Sequence, residues 1–175
     1  MSWEFEFLYL LQALHHPVLD RMMLFLTTIG EAGMVWIAIS LALVCFPKTR
    51  RCGISMMISM VLTYVVGNLL LKNLVARPRP CEVDQSVKLL VKFPWDYSFP
   101  SGHTMNGFTA ATTIFLSYKK AGLAAYVLAA AVAFSRMYLF VHFPTDVAGG
   151  ILVGAADAVM VYFAMKRVCA KLPEL

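Results

Sequence analysis

The chain has 175 residues, 60% hydrophobic and 14% charged, with a net charge of +5 and a mean hydropathy of +0.71. So few polar groups cannot cover a soluble globule of this size, which excludes a soluble enzyme and predicts a single integral membrane domain over residues 1–175. The four cysteines, Cys45, Cys52, Cys81 and Cys169, have neither metal-ligand nor paired spacing and read as unpaired thiols.

From Trp3 to His15, acids alternate with aromatics before the chain turns apolar. The segment is too short to cross a bilayer, Pro17 ends it, and Glu4 and Glu6 stand where a signal peptide has a basic start. An interfacial helix is expected here. Apolar runs follow at Met22 to Phe46, Gly53 to Leu71, Thr104 to Tyr118, Ala121 to Leu139 and Val147 to Met165. About 20 mainly apolar residues span the hydrocarbon core. The expected fold is therefore an all-α bundle of about five transmembrane helices, six if the N-terminal segment inserts. Thr104 to Tyr118 is short, and a helix start at Ser101 restores its length. The first run is the least clean, because it carries Thr27, Thr28, Gly30, Glu31 and Gly33.

Charge orients the bundle. Lys48, Arg50 and Arg51 fall in one connection, Lys119 and Lys120 in another, and Lys166, Arg167 and Lys171 in the tail, with Glu174 the only acid near them. By the positive-inside bias this end is cytoplasmic, a bias that Arg21, Lys88 and Lys92 at the other end dilute. Five crossings then put the N-terminal segment outside, together with three polar clusters far apart in sequence. Their convergence points to one site at the extracytoplasmic face.

In the first cluster Lys72 closes an apolar run and Arg77-Pro78-Arg79-Pro80 follows. The two Xaa-Pro steps force an extended exit from the helix and hold cations at the membrane boundary. These side chains either bind an anion or snorkel to headgroups as anchors. In the second, Pro100-Ser101-Gly102-His103 precedes a helix. Ser101 suits the N-cap, Gly102 lets backbone approach a ligand, and the amides and helix dipole attract an anion. Taken alone, the cluster reads first as a capped helix whose His103 faces the headgroups. In the third, Ser135-Arg136 is followed by His142 and then Asp146. Asp146 can accept from one imidazole nitrogen and leave the other as a lone pair aimed at phosphorus, the set-up of an oriented nucleophile. A structural His-Asp pair or a metal site is the alternative, although no partner with metal-ligand spacing is present.

Lys72, six residues, Arg79-Pro80; Pro100-Ser101-Gly102-His103; and Ser135-Arg136, five residues, His142, three residues, Asp146 together resemble the three-part signature of the type 2 phosphatidic acid phosphatase superfamily. The resemblance covers Lys72 to Asp146 and, with the flanking helices, most of the chain. Five spans plus an interfacial segment depart from the six spans usual in membrane members. The resemblance implies His142 as nucleophile, Asp146 as the group fixing its tautomer, and His103 as general acid and then base. It implies Lys72, Arg79, Arg136, Ser101 and Gly102 as phosphate ligands; Arg77 lies outside the signature and is a candidate accessory. It implies no cofactor and no metal, because fixed cations stabilise the transition state.

The expected partners are a lipid phosphate and membrane lipids, not nucleic acid; the sequence sets no oligomeric state. The Cys81 to Phe99 connector carries Lys88 and Lys92 among apolar residues, which suits guidance of an anionic headgroup or a simple amphipathic link. An outward site in a bacterial inner membrane suits undecaprenyl diphosphate, with phosphatidic acid, phosphatidylglycerol phosphate and lipid A phosphate as alternatives. Glu31 and Asp157 fall within expected spans, so a small anion or proton-coupled transporter is the rival class. Structural roles for both acids are the favoured reading.

Overall fold

The computed structural model describes residues 2–171, with side chains described to residue 168; Cys169, Lys171 and Glu174 lie outside the described side chains. Among the described residues every regular element is helical. Helix α1, Trp3–Gln12, has only ten residues. It lies against the bundle through Leu8 and Leu11, which join Tyr138, Phe140 and Phe143 in one apolar cluster. Ten residues extend about 15 Å, half a bilayer core, so α1 cannot span.

Pro17 sits in the first turn of α2, Pro17–Ile29, where its missing N–H costs nothing. The helix ends at Gly30, a 3₁₀ turn covers Glu31–Gly33, and α3 runs Met34–Cys45. Ala32 (φ 49) and Gly33 (φ 72) are left-handed here. The uninterrupted span expected from Met22 to Phe46 is thus two helices bent by 45°. Glu31 consequently lies in the break and is exposed, not buried in a span.

Helix α4, Arg50–Thr63, continues as a π-helical segment over Tyr64–Leu71 and as α5, Lys72–Val75. The wider winding keeps residues spaced by four nearly in line. Tyr64, Asn68 and Lys72 accordingly all face one cavity. Ala76 (φ 46) closes α5, and the extended Arg79 precedes the short α6, Pro80–Val83, as the paired Xaa-Pro steps require.

A connector leads to α7, Gly102–Ser117, followed by α8, Lys119–Tyr138, and α9, Pro144–Lys171. Helix α7 packs against α8, α9 and α4. Its threonines Thr104, Thr109, Thr112 and Thr113 are all buried. Surrounded in this way, this threonine-rich helix keeps its hydroxyls on protein acceptors and away from lipid. Close approach comes from α9, as its glycines suggest. A Cβ on Gly154 would stand 2.5 Å from the Met105 carbonyl oxygen, and one on Gly150 2.9 Å from that of Ser101. Asp157 is buried as expected and accepts from the Thr63 hydroxyl at 3.0 Å, tying α9 to α4.

Candidate active site

All three polar clusters meet at one end of the bundle, around a cavity of about 660 Å³. Lys72 comes from α5, Arg79 from the turn before α6, Gly102 and His103 from the start of α7, Arg136 from the end of α8, and His142 from the loop between α8 and α9. Lys48, Lys119 and Lys120 lie at the far end, where the Tyr118 hydroxyl donates to the Lys48 carbonyl.

Lys72, Arg79 and Arg136 are buried, and buried cations need partners. Asp96 supplies them for two. Its carboxylate pairs with Lys72 and accepts from Arg79 Nη2 at 2.6 Å, and its carbonyl accepts from Arg79 Nε at 2.7 Å. Partial burial acts to raise the Asp96 carboxyl, but the Lys72 hydrogen bond and the charges of Arg79 and Lys72 outweigh it and hold it down at about 2. Arg136 is less fully matched: it donates to the Thr27 hydroxyl, and its buried Nε has no partner.

His142 is 1% exposed, and its surroundings fix its tautomer. Ser98 donates its hydroxyl proton to Asp146 Oδ2 at 2.5 Å and presents its lone pair to His142 Nδ1 at 3.4 Å. Asp146 Oδ2 itself stands 3.7 Å from Nδ1, so Ser98 bridges the pair. The proton therefore belongs on Nδ1. Nε2 keeps a lone pair, which accepts from Arg79 Nη1 at 3.0 Å. Burial first, then the charges of Arg79, Arg136 and Lys72, push the imidazole well below its ordinary pKa. A neutral ring is what nucleophilic attack needs, and its Nε2 lone pair becomes available once Arg79 turns its donor to a phosphate oxygen.

His103 lines the cavity beside the break in the first span: a Cβ on Gly30 would lie 3.2 Å from its Cδ2. One expected phosphate ligand, Ser101, and the candidate accessory, Arg77, stand elsewhere. Ser101 precedes α7 but forms no side-chain cap; it is buried, and its hydroxyl accepts from Thr104 at 3.0 Å. Its amide donates to the Asp146 carbonyl at 3.1 Å, so Ser101 ties the second cluster to the third. Arg77 also misses the cavity, because the chain turns it outward at Ala76. It donates to Asp146 Oδ1 at 2.7 Å and to Glu4 at 2.6 Å.

Sequence reasoning missed Asp96, Ser98, Thr145 and Glu4. Asp96 and Ser98 sit just upstream of the second cluster, and that adjacency was the only signal. The connector is itself part of the site, since Val91, Lys92, Phe93 and Pro94 line the cavity.

Known proteins share this fold. The chain belongs to the PAP2 superfamily, whose profile matches residues 52–168, and it has the fold of that superfamily's membrane phosphatases. It superposes on the crystal structure of Aquifex aeolicus LpxE with a TM-score of 0.73 and 29% identity, covering 92% of this chain and 95% of that one. A transmembrane PAP2-type phosphatidylglycerolphosphate phosphatase from Bacillus subtilis gives a TM-score of 0.70 and 27% identity, covering 94% of this chain and 83% of that one. The undecaprenyl-diphosphatase of Sulfolobus acidocaldarius is 37% identical over 138 residues, which are 78% of this chain and 66% of that protein.

Proposed function

We propose that this multi-pass membrane protein is a lipid phosphate phosphatase whose substrate is a polyprenyl diphosphate, undecaprenyl diphosphate in a bacterial inner membrane. The observation that carries the reading is the gathering of Lys72, Arg79, Arg136, His103 and His142 on one cavity wall. The similarity to an undecaprenyl-diphosphatase supports the choice of lipid. In this mechanism His142 Nε2 attacks phosphorus and the bond to the leaving oxygen breaks. His103 protonates that oxygen. The cations and the Gly102 amide take the charge spread over the non-bridging oxygens. Water then attacks the phosphohistidine, giving up its proton to His103 and releasing phosphate. Ser101 and Arg77 support Asp146 and do not hold phosphate. A transporter finds no support here, since Glu31 is exposed at the cavity and Asp157 is bonded between helices.

The deciding experiment measures phosphate release by purified protein in detergent from phosphatidic acid, phosphatidylglycerol phosphate, lipid A phosphate and undecaprenyl diphosphate. The highest kcat/KM is expected on undecaprenyl diphosphate, undiminished by excess chelator and inhibited by vanadate, which mimics pentacoordinate phosphorus. Activity that disappears in chelator and returns with magnesium or zinc would replace this mechanism with a metal-dependent one. Binding of lipid phosphate without release would leave a binding protein.

The cavity is proposed to face outward, on the strength of the lysines and arginines at the far end. Cys81 and Cys52 are buried and would not report on this. A cysteine placed at the exposed Ser86, in a background without native cysteines, is expected to react with an impermeant thiol reagent in intact cells. Reaction only after lysis would turn the site inward.

A further inference from the structure

Glu4 lies on α1, outside the residues matched by the superfamily profile, and it is buried. Its Oε2 accepts from Arg77 Nη2 at 2.6 Å; its Oε1 accepts from the Thr145 hydroxyl at 2.6 Å and the Thr145 amide at 3.3 Å. On its other side Arg77 Nη1 donates to Asp146 Oδ1 at 2.7 Å. The guanidinium also lies 4.0 Å over the Phe143 ring, which Phe5 of α1 meets edge-on at 5.3 Å. The N-terminal helix thus grips the back of the loop that carries His142.

The charges explain why an acid is needed there. When His142 becomes phosphorylated its ring turns cationic, and the fully buried Asp146 has to balance it. A guanidinium against the other oxygen of Asp146 cancels much of that field in a site where screening is weak. A second carboxylate on the far side of the guanidinium restores it, leaving Asp146, Arg77 and Glu4 with a net charge of −1. Glu4 does not line the cavity, so it acts through these partners and not on substrate.

We infer that Glu4 is a positioning residue for phosphoryl transfer: it holds Arg77 against Asp146 and offsets the Arg77 charge, so that Asp146 keeps the field that stabilises the phosphohistidine. The inference rests on the reading of His142 as nucleophile and Asp146 as its partner.

The test is a double-mutant cycle on the full chain in detergent, with kcat and KM measured on undecaprenyl diphosphate for Glu4→Gln, Arg77→Gln and the double variant, and with Glu4→Asp as the conservative control. Glu4→Gln is expected to lower kcat about 10- to 100-fold, the usual range for removing a group behind a catalytic one, with KM within about threefold. Glu4→Asp should keep most of the activity. The double variant should be faster than Glu4→Gln alone, because removing Arg77 frees Asp146 again. A purely structural anchor gives the opposite order, with the double variant at or below the single one, and that result overturns the inference. If Glu4→Gln loses its fold, recovery of fold and turnover in the double variant supports the charge balance, and recovery of neither refutes it. His142→Ala separates the two levels. Normal turnover in that variant removes the underlying reading, whereas an inactive His142→Ala beside a Glu4→Gln of unchanged kcat refutes this inference alone.

Discussion

Replacing His142 by alanine is expected to abolish both phosphate release and the covalent phosphoenzyme on every substrate. The ring is buried, Ser98 and Asp146 fix its proton on Nδ1, and Arg79 faces the Nε2 lone pair. No neighbouring side chain is held in the same way, so the loss should reach at least about 10⁴-fold, the scale seen when a nucleophile is deleted from a group acting as a unit. Asp146→Asn should fall between wild type and His142→Ala. Both Asp146 oxygens accept hydrogen bonds, from Arg77 on one side and from Ser98 and the Phe143 amide on the other. The amide nitrogen of asparagine would therefore confront a donor in either orientation. The measurement is phosphate release and acid-quenched phosphoenzyme, with binding of a non-hydrolysable lipid analogue as the folding control. Residual turnover in His142→Ala would transfer the nucleophile's role to another group.

His103→Ala should leave the nucleophile in place, slow phosphoenzyme formation to a degree set by the leaving group, and slow hydrolysis of the phosphohistidine alike on every substrate. An alkoxide such as the diacylglycerol of phosphatidic acid departs poorly without a proton, so a deficit of roughly a hundredfold or more is expected there. An aryl phosphate or a diphosphate leaves with less need of protonation and should lose less. His142→Ala, by contrast, should be inactive on both. Equal losses for His103→Ala in the rate of phosphoenzyme formation on both substrate types would argue against its acid role.

The residues that touch the cavity were legible in the sequence where chemistry ties residue type to spacing. Lys72, Arg79, Gly102, His103, Arg136 and His142 stand together because each lies at or beside a helix terminus at the same end of the bundle. The repeated Xaa-Pro pattern did not separate Arg77 from Arg79, which only the spacing of the family signature did; which of two arginines turns inward depends on the left-handed Ala76 between helix and proline steps. Ser101 had the right type for an N-cap, but burial against Thr104 and Asp146 took its hydroxyl and amide elsewhere. Asp96, Ser98 and Glu4 act through contacts made only once the chain has folded, and no local pattern marks such partners. Among the spans, hydropathy located the apolar runs but could not show that Gly30 to Gly33 would bend the first by 45°. Hydropathy averages over the very residues that make the break.

Helix α7 also sets how deep the chemistry lies. His103 stands near its start and Tyr118 just past its end, so at 1.5 Å per residue the two are about 23 Å apart along the axis. Tyr118 is bonded to Lys48 beside Lys119 and Lys120, which places the far end of α7 at one headgroup layer. A bilayer core is about 30 Å thick, so with α7 along the bilayer normal His103 would fall several ångströms short of the opposite headgroup plane. A lipid phosphate must then sink below its neighbours to react, shedding water as it descends, and the buried cations compensate that loss. A water-soluble phosphate has no tail to hold it at that level, so under the proposed function the length of one helix is expected to favour lipids over soluble esters.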